Sequence, residues 1–108
     1  MMQFQFNSDN QVNGSRDVAE RVEQVVRKSV VRFEARLTRI EVHVSDVNGR
    51  KQGPADKRCM LEARPNGLEP VAVSHEADSI DQAVSGAAGR LTGVLERVLG
   101  RLTDRKGH

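Results

Sequence analysis

The apolar residues of this chain change their spacing in a set order, and that order limits what it can fold into more than any other feature. Met2, Phe4 and Phe6 alternate with Gln3 and Gln5, a period of two that predicts a strand over Met2–Phe6. Val18, Val22, Val25, Val26, Ser29 and Phe33 then recur at helical spacing, which predicts a helix from Arg16 to Glu34 with Ser15 as its cap and Asp17 against the dipole. The period returns to two where Ile40, Val42 and Val44 alternate with Arg39, Glu41 and His43, so Leu37–Ser45 reads as a strand with one buried face. Cys59, Leu61 and Ala63 repeat the pattern over Arg58–Arg64, Pro65-Asn66-Gly67 is a tight turn, and Val71–Ser74 is a short last strand. Ser79, with Gln82 three residues on, opens a capping box. The helix behind it carries Ile80, Val84, Ala87, Leu91, Val94, Leu95, Val98 and Leu102 on one face.

Read together, these stretches predict an α+β fold of order β-α-β-β-β-α. It is a four-stranded sheet with a right-handed crossover and two helices packed on one face. One domain over residues 1–102 and a polar tail over 103–108 account for the length of 108 residues. Asn7–Gly14 and Asp46–Lys57 are expected as polar loops. Phe4, Phe6 and Phe33 are the only aromatic residues, so the core must be aliphatic. The opposite sheet face reads as polar: Gln3, Gln5, Arg39, Glu41, His43, Arg58, Glu62 and Arg64.

Composition excludes several classes. A single cysteine, Cys59, allows no internal disulfide and fits a reducing, cytoplasmic setting. No apolar run is long enough to span a membrane, and no signal peptide is visible, so no membrane partner is expected. His43, His75 and His108 show no metal-ligand spacing, and Cys59 has no second cysteine, so no metal or other cofactor is expected. Asp46-Val47-Asn48-Gly49 resembles the start of a calcium loop, but Lys57 stands where an EF-hand needs Glu. Gly49–Gly53 lacks the Gly-Lys-Ser/Thr ending of a phosphate loop. Cys59 is expected in the core, His75 in the loop before the last helix, and Asp78 and Asp81 at that helix's start as capping charges. No set of nucleophile, base and orienting group emerges, so the chain reads as no enzyme and as having no small-molecule substrate.

Charge is informative only once it is located. The formal net charge is +2, from 17 basic and 15 acidic residues. Residues 15–36 hold six basic and four acidic side chains, residues 79–106 five and three, and the remainder six and eight. The helices are therefore positive and the rest slightly negative. At 100° per residue, Arg21, Lys28 and Arg32 share one stripe on the first helix, and Arg90, Arg97 and Arg101 share one on the second. Both have the spacing i, i+7, i+11, suited to following a phosphate backbone, although a solvated helix face carries such residues too. Gly86, Gly89 and Gly93 lie on the outward side of the second helix beside its arginines. Three interior glycines cost a helix roughly 2–3 kcal/mol relative to alanine. Close backbone approach by a partner such as RNA is one reason to keep them, and simple tolerance by a buried helix is another. The exposed sheet has no aromatic platform for stacking bases, so RNA contact would run through helices and phosphates.

Several segments also resemble a known family. Arg39-Ile40-Glu41-Val42-His43-Val44-Ser45-Asp46, Lys57-Arg58-Cys59, Glu62-Ala63-Arg64 and Ala77-Asp78-Ser79-Ile80-Asp81-Gln82-Ala83 are similar to the ribosome hibernation-promoting factors, also called ribosome-associated inhibitors or sigma-54 modulation proteins. The likeness covers almost the whole chain, including the element order. It implies a stress or stationary-phase factor that binds the small ribosomal subunit and its 16S rRNA between head and body, blocking the mRNA and tRNA path. By that resemblance the RNA contacts fall on Arg21, Lys28, Arg32, Arg90, Arg97 and Arg101, with Lys51, Lys57 and Arg58 as further candidates. A chain ending soon after the second helix matches the short form, without a C-terminal dimerisation domain, and a monomer is expected. The rival expectation is a protein-interaction domain of the same fold, using the polar sheet face or an edge strand.

Overall fold

The computed structural model describes residues 2–8, 16–46 and 57–107, with side chains as far as residue 100. Strand β1 (Gln3–Ser8) leads to helix α1 (Arg16–Ser29), a 3-10 helix (Val31–Arg36), strands β2 (Leu37–Asp46), β3 (Lys57–Pro65) and β4 (Val71–Ala77), and helix α2 (Ile80–Gly107). The sheet order is β1-β2-β3-β4. β1 lies parallel to β2, pairing Phe4 with Ile40 and Phe6 with Val42, as a crossover through α1 requires. β2, β3 and β4 form an antiparallel meander. The α+β order read from the periods is the observed one.

The core lies between one sheet face and the helices. Ile40, Val42 and Val44 of β2 and Cys59, Leu61 and Ala63 of β3 point into it. They meet Val22 and Val26 of α1 and Ala83, Val84, Ala87, Ala88, Leu91, Leu95 and Leu99 of α2. Phe33 is the one buried aromatic residue of this otherwise aliphatic core among the described residues. No helix among the described residues is long and apolar enough to cross a membrane.

Local chemistry sets the boundaries. Gln82 N–H donates to Ser79 Oγ at 3.2 Å and Ala83 N–H to Ser79 O at 2.9 Å, so Ser79 is the cap its sequence position implies. The Ser15 cap and the expected loops over residues 9–14 and 47–56 lie outside the described residues. Leu68 N–H donates to Pro65 O at 3.2 Å, closing the β3–β4 turn, and Gly67 takes φ +78° there, a conformation that glycine alone adopts without strain. Thr38 interrupts the β2–β3 register as a bulge and donates its hydroxyl to Arg64 O at 3.0 Å.

Three expectations need correction. The first helix does not run to Glu34. Ser29 Oγ donates back to Val25 O at 2.9 Å, the α-helix ends there, and the chain tightens into the 3-10 turns of Val31–Arg36. A repeat of three puts Val30 and Phe33 on the same inward side and delivers Leu37, also buried, to the start of β2. The second helix continues through Gly107 rather than ending at Leu102, so residues 103–107 are helix and not a separate tail. β4 extends to Ala77, which places His75 in a strand, opposite Cys59, and not in a loop.

That placement explains Gly86. A Cβ there would sit 2.1 Å from His75 Cδ2, so the glycine lets α2 lie down on the imidazole of β4. It does not face outward with Gly89 and Gly93, around which a Cβ would meet nothing within 4 Å. Gly86→Ala should therefore destabilise the fold. Gly89→Ala and Gly93→Ala should each stabilise it by up to about 1 kcal/mol through helix propensity. In a double-mutant cycle read by urea unfolding, His75→Ala should recover most of the Gly86→Ala loss, since it removes the ring in the way.

Burial pushes the Cys59 thiol up from 9.0 to about 12. The neutral thiol is the form the fold holds, so this contribution to stability is full below about pH 9 and is lost as pH rises towards 12. At pH 8 a thiolate-seeking reagent should modify the folded chain at least about a hundredfold more slowly than the urea-unfolded chain. Equal rates would show that Cys59 is not buried in solution.

Candidate nucleic-acid interface

The two basic stripes have different environments. On the first, Arg21 Nε lies 2.9 Å from Asp81 Oδ1 of α2, with both side chains more than half exposed. Arg32 pairs with Glu96 of α2, and its guanidinium sits 4.8 Å above the Phe33 ring. These are exposed pairs, worth up to about 1 kcal/mol each, and they lace α1 and the 3-10 helix to α2 along the seam between them. Arg32 also stands on the 3-10 helix, so the three residues do not form a stripe on a single α-helix. Lys28, in the last turn of α1, is exposed.

On the second stripe, Arg90 and Arg97 are exposed on the flank of α2 that faces edge strand β4. There they border an open groove of about 480 Å3, floored by Ala72, Val73 and Ser74 and walled by Gly89, Gly93 and Val94. No acidic residue lines the groove, and neither arginine has an ionic partner among the described residues. Seven helical residues separate them by about 10 Å along the axis. Arg101 continues the same helix, and its side chain lies outside the described residues.

The loop candidates scatter. Lys51 lies outside the described residues. Lys57 Nζ lies 3.7 Å from Asp46 Oδ2 across the ends of β2 and β3. Arg58 is exposed on the sheet face turned away from the helices, because its neighbour Cys59 points into the core. The structure thus brings Arg90 and Arg97 to one groove, joins Arg21 and Arg32 to α2 carboxylates, and separates Arg58 from both.

The polar sheet face is largely occupied with itself. Arg39 donates to Gln5, and its Nε lies 2.9 Å from Glu41 Oε2, off the line of a good hydrogen bond. His43 Nε2 stands 3.3 Å from Glu41 Oε1, and Arg64 lies 3.6 Å from Glu62. Among the described residues no group of three or more His, Cys, Asp or Glu is arranged to hold a metal ion. Cys59 is buried as a neutral thiol and His43 is on the opposite face, so these two do not form a nucleophile and base.

Sequence reasoning missed Asp81 and Glu96 as partners of the first stripe. Asp81 stands in the first turn of α2, where a capping role hid its contact with Arg21 sixty residues earlier. It also missed that the expected strand over Val71–Ser74 lies alongside α2 and floors the groove, a pairing of distant segments that no local spacing records.

Known proteins place the fold. The crystal structure of the N-terminal domain of Protein Y from Thermus thermophilus superposes with a TM-score of 0.70 at 18% identity, covering 91% of this chain and 99% of that one. A ribosomal subunit interface protein from Coxiella burnetii gives 0.68 at 14% identity, covering 93% and 99%. At such identities the likeness is one of fold. A search of curated proteins found no match. A family model matches nearly the whole chain, over residues 9–103, and by that match the protein belongs to the sigma 54 modulation protein / S30EA ribosomal protein family.

Proposed function

We propose that this protein is a ribosome-associated translation inhibitor. It binds the small ribosomal subunit through cationic side chains on its helices, holds 16S rRNA by its phosphates, and occupies the mRNA and tRNA path under stress or in stationary phase. Family membership supports the ribosomal partner, and so does a fold shared with a protein titled as a ribosomal subunit interface protein. The observation that carries the RNA surface is the flank of α2, where Arg90 and Arg97 are exposed with no carboxylate lining the groove beside them.

Phosphate oxygens suit this arrangement. Each guanidinium presents a planar fork that two oxygens can meet at once, and no base edge need be read. Gly89 and Gly93 leave open space on the helix beside the arginines, which lets a sugar-phosphate chain come close. Recognition of this kind follows shape and charge, consistent with a sheet face that offers no aromatic residue for stacking.

The protein should co-sediment with small subunits in a sucrose gradient of stationary-phase lysate. If about six phosphates are neutralised, affinity should fall about a thousandfold between 50 and 200 mM salt. Binding that ignores salt would sink the phosphate mechanism. Replacing Arg90, Arg97 and Arg101 together with Glu should abolish co-sedimentation while leaving the circular-dichroism spectrum unchanged. Survival of binding in that variant would favour the rival, an interaction domain working through its sheet face or an edge strand.

A further inference from the structure

Among the described residues both edges of the sheet are open to a further strand, and they differ in how they are guarded. A row of unpaired N–H and C=O groups invites another strand, so natural edge strands are blunted by lysine, proline, a bulge or other charge. β4 carries Glu76 and lies beside Arg90 and Arg97, so a second copy of the chain pairing there would set those arginines against their own counterparts. β1 has no such guard. Its sequence, Gln-Phe-Gln-Phe-Asn-Ser, holds no charge and no proline, and its register with β2 runs without a shift. Phe4 and Phe6 are only partly buried, although they are two of the three aromatic residues in the chain.

We infer that β1 is a dimerisation edge, and that its occupant is β1 of a second copy of this chain, added antiparallel about a twofold axis at Gln5. That register pairs Gln5 with Gln5, Gln3 with Asn7 and Phe4 with Phe6 across the axis. It keeps every amide on the polar face and brings the phenylalanines of both copies together on the helix side. A slip of one residue would set Phe beside Gln on both faces, so the alternation along β1 also fixes its pairing. α1 supplies a matching flank. Arg21 points to α2, whereas Glu20, Glu23, Gln24 and Arg27 line the opposite side. Arg27 lies 5.6 Å above the Phe4 ring, with its Nε 2.6 Å from Glu23 Oε2. The crossover makes α1 run against β1, and one helical turn advances about as far as two strand residues, roughly 5–7 Å. An axis that sets Phe4 level with Phe6 therefore sets Arg27 level with Glu23 of the second copy. Charge complementarity thus selects the same partner and the same axis as the strand register. A strand of six residues and one helix flank make a small interface, so the dimer is concentration-dependent and replaces the expected monomer only as concentration rises. The groove between α2 and β4 lies at the far edges of the joined sheet and stays free in both copies.

The test is sedimentation velocity on the whole chain over about a hundredfold range of concentration, where the boundary should move from monomer to dimer and stop there. Gln5→Lys, which sets two ammonium groups opposite each other at the axis, should raise the dimer dissociation constant about fivefold or more while leaving the circular-dichroism spectrum unchanged. Arg27→Glu should weaken the dimer, and Glu23→Arg with Arg27→Glu should restore it, since the exchanged charges still match. Cross-linking reads the register directly. Gln5→Cys should give a disulfide-linked dimer under mild oxidation, whereas Gln3→Cys, about 14 Å from its own counterpart, should not. Cys59 is buried and stays silent in both variants. A chain that stays monomeric throughout, equal cross-linking by the two cysteines, or an exchange variant as weak as Arg27→Glu would each overturn the pairing. Growth beyond dimer, as a chain of β1-to-β4 contacts would give, overturns it too. So would a dimer lost in Arg90→Glu with Arg97→Glu and kept in Gln5→Lys, which would move the interface to β4.

Discussion

Everything in this molecule depends on α2 lying flat against β3 and β4. A four-stranded sheet with one apolar face is not stable until that face is covered, and with so few aromatic side chains the cover must be close to be effective. Small residues make it close. Ala83, Ala87 and Ala88 are buried on the inner face of α2, and Gly86 lets the helix settle on the His75 ring, while Leu91, Leu95 and Leu99 fill the space farther along. Burial at this density excludes water from Cys59, and it turns the opposite side of α2 outward with its glycines and arginines.

The same packing sorts the charges. Because α2 sits beside α1, Asp81 and Glu96 come within reach of Arg21 and Arg32, and four formal charges are spent on holding two helices together. On the other flank α2 faces β4, and among the described residues no carboxylate lines the groove between them. Arg90 and Arg97 are thereby left beside a groove that no carboxylate lines. The mechanism proposed for RNA needs such an arrangement, since affinity for phosphates is set by the local field rather than by the total charge.

Glycine placement shows how one residue type serves two ends in a single helix. Gly86 is a packing device, required by a side chain on a neighbouring strand. Gly89 and Gly93 answer no steric demand within the fold, and they weaken the helix on the face where a partner would approach. The difference between them is invisible in the helix's own periodicity.

The element order, the buried face of each strand, the aliphatic core, the Ser79 cap and the Gly67 turn were all legible in the sequence. Each is set by a repeat or a conformational preference acting over a few neighbouring residues. The element ends were less legible. The first helix stops at Ser29 because Val30, Phe33 and Leu37 must all reach the core, β4 reaches Ala77 because β3 is there to pair with it, and α2 passes Leu102. The matched stripes were real as spacings and unequal as surfaces. Asp81 lies 60 residues from Arg21 and Glu96 lies 64 from Arg32, and no local pattern records a pairing across that span. Sequence alone determined which side chains are cationic and which face of each helix is apolar. Only tertiary structure decided which cations are paired within the fold and which border a groove without acids, because that depends on the elements that packing brings alongside.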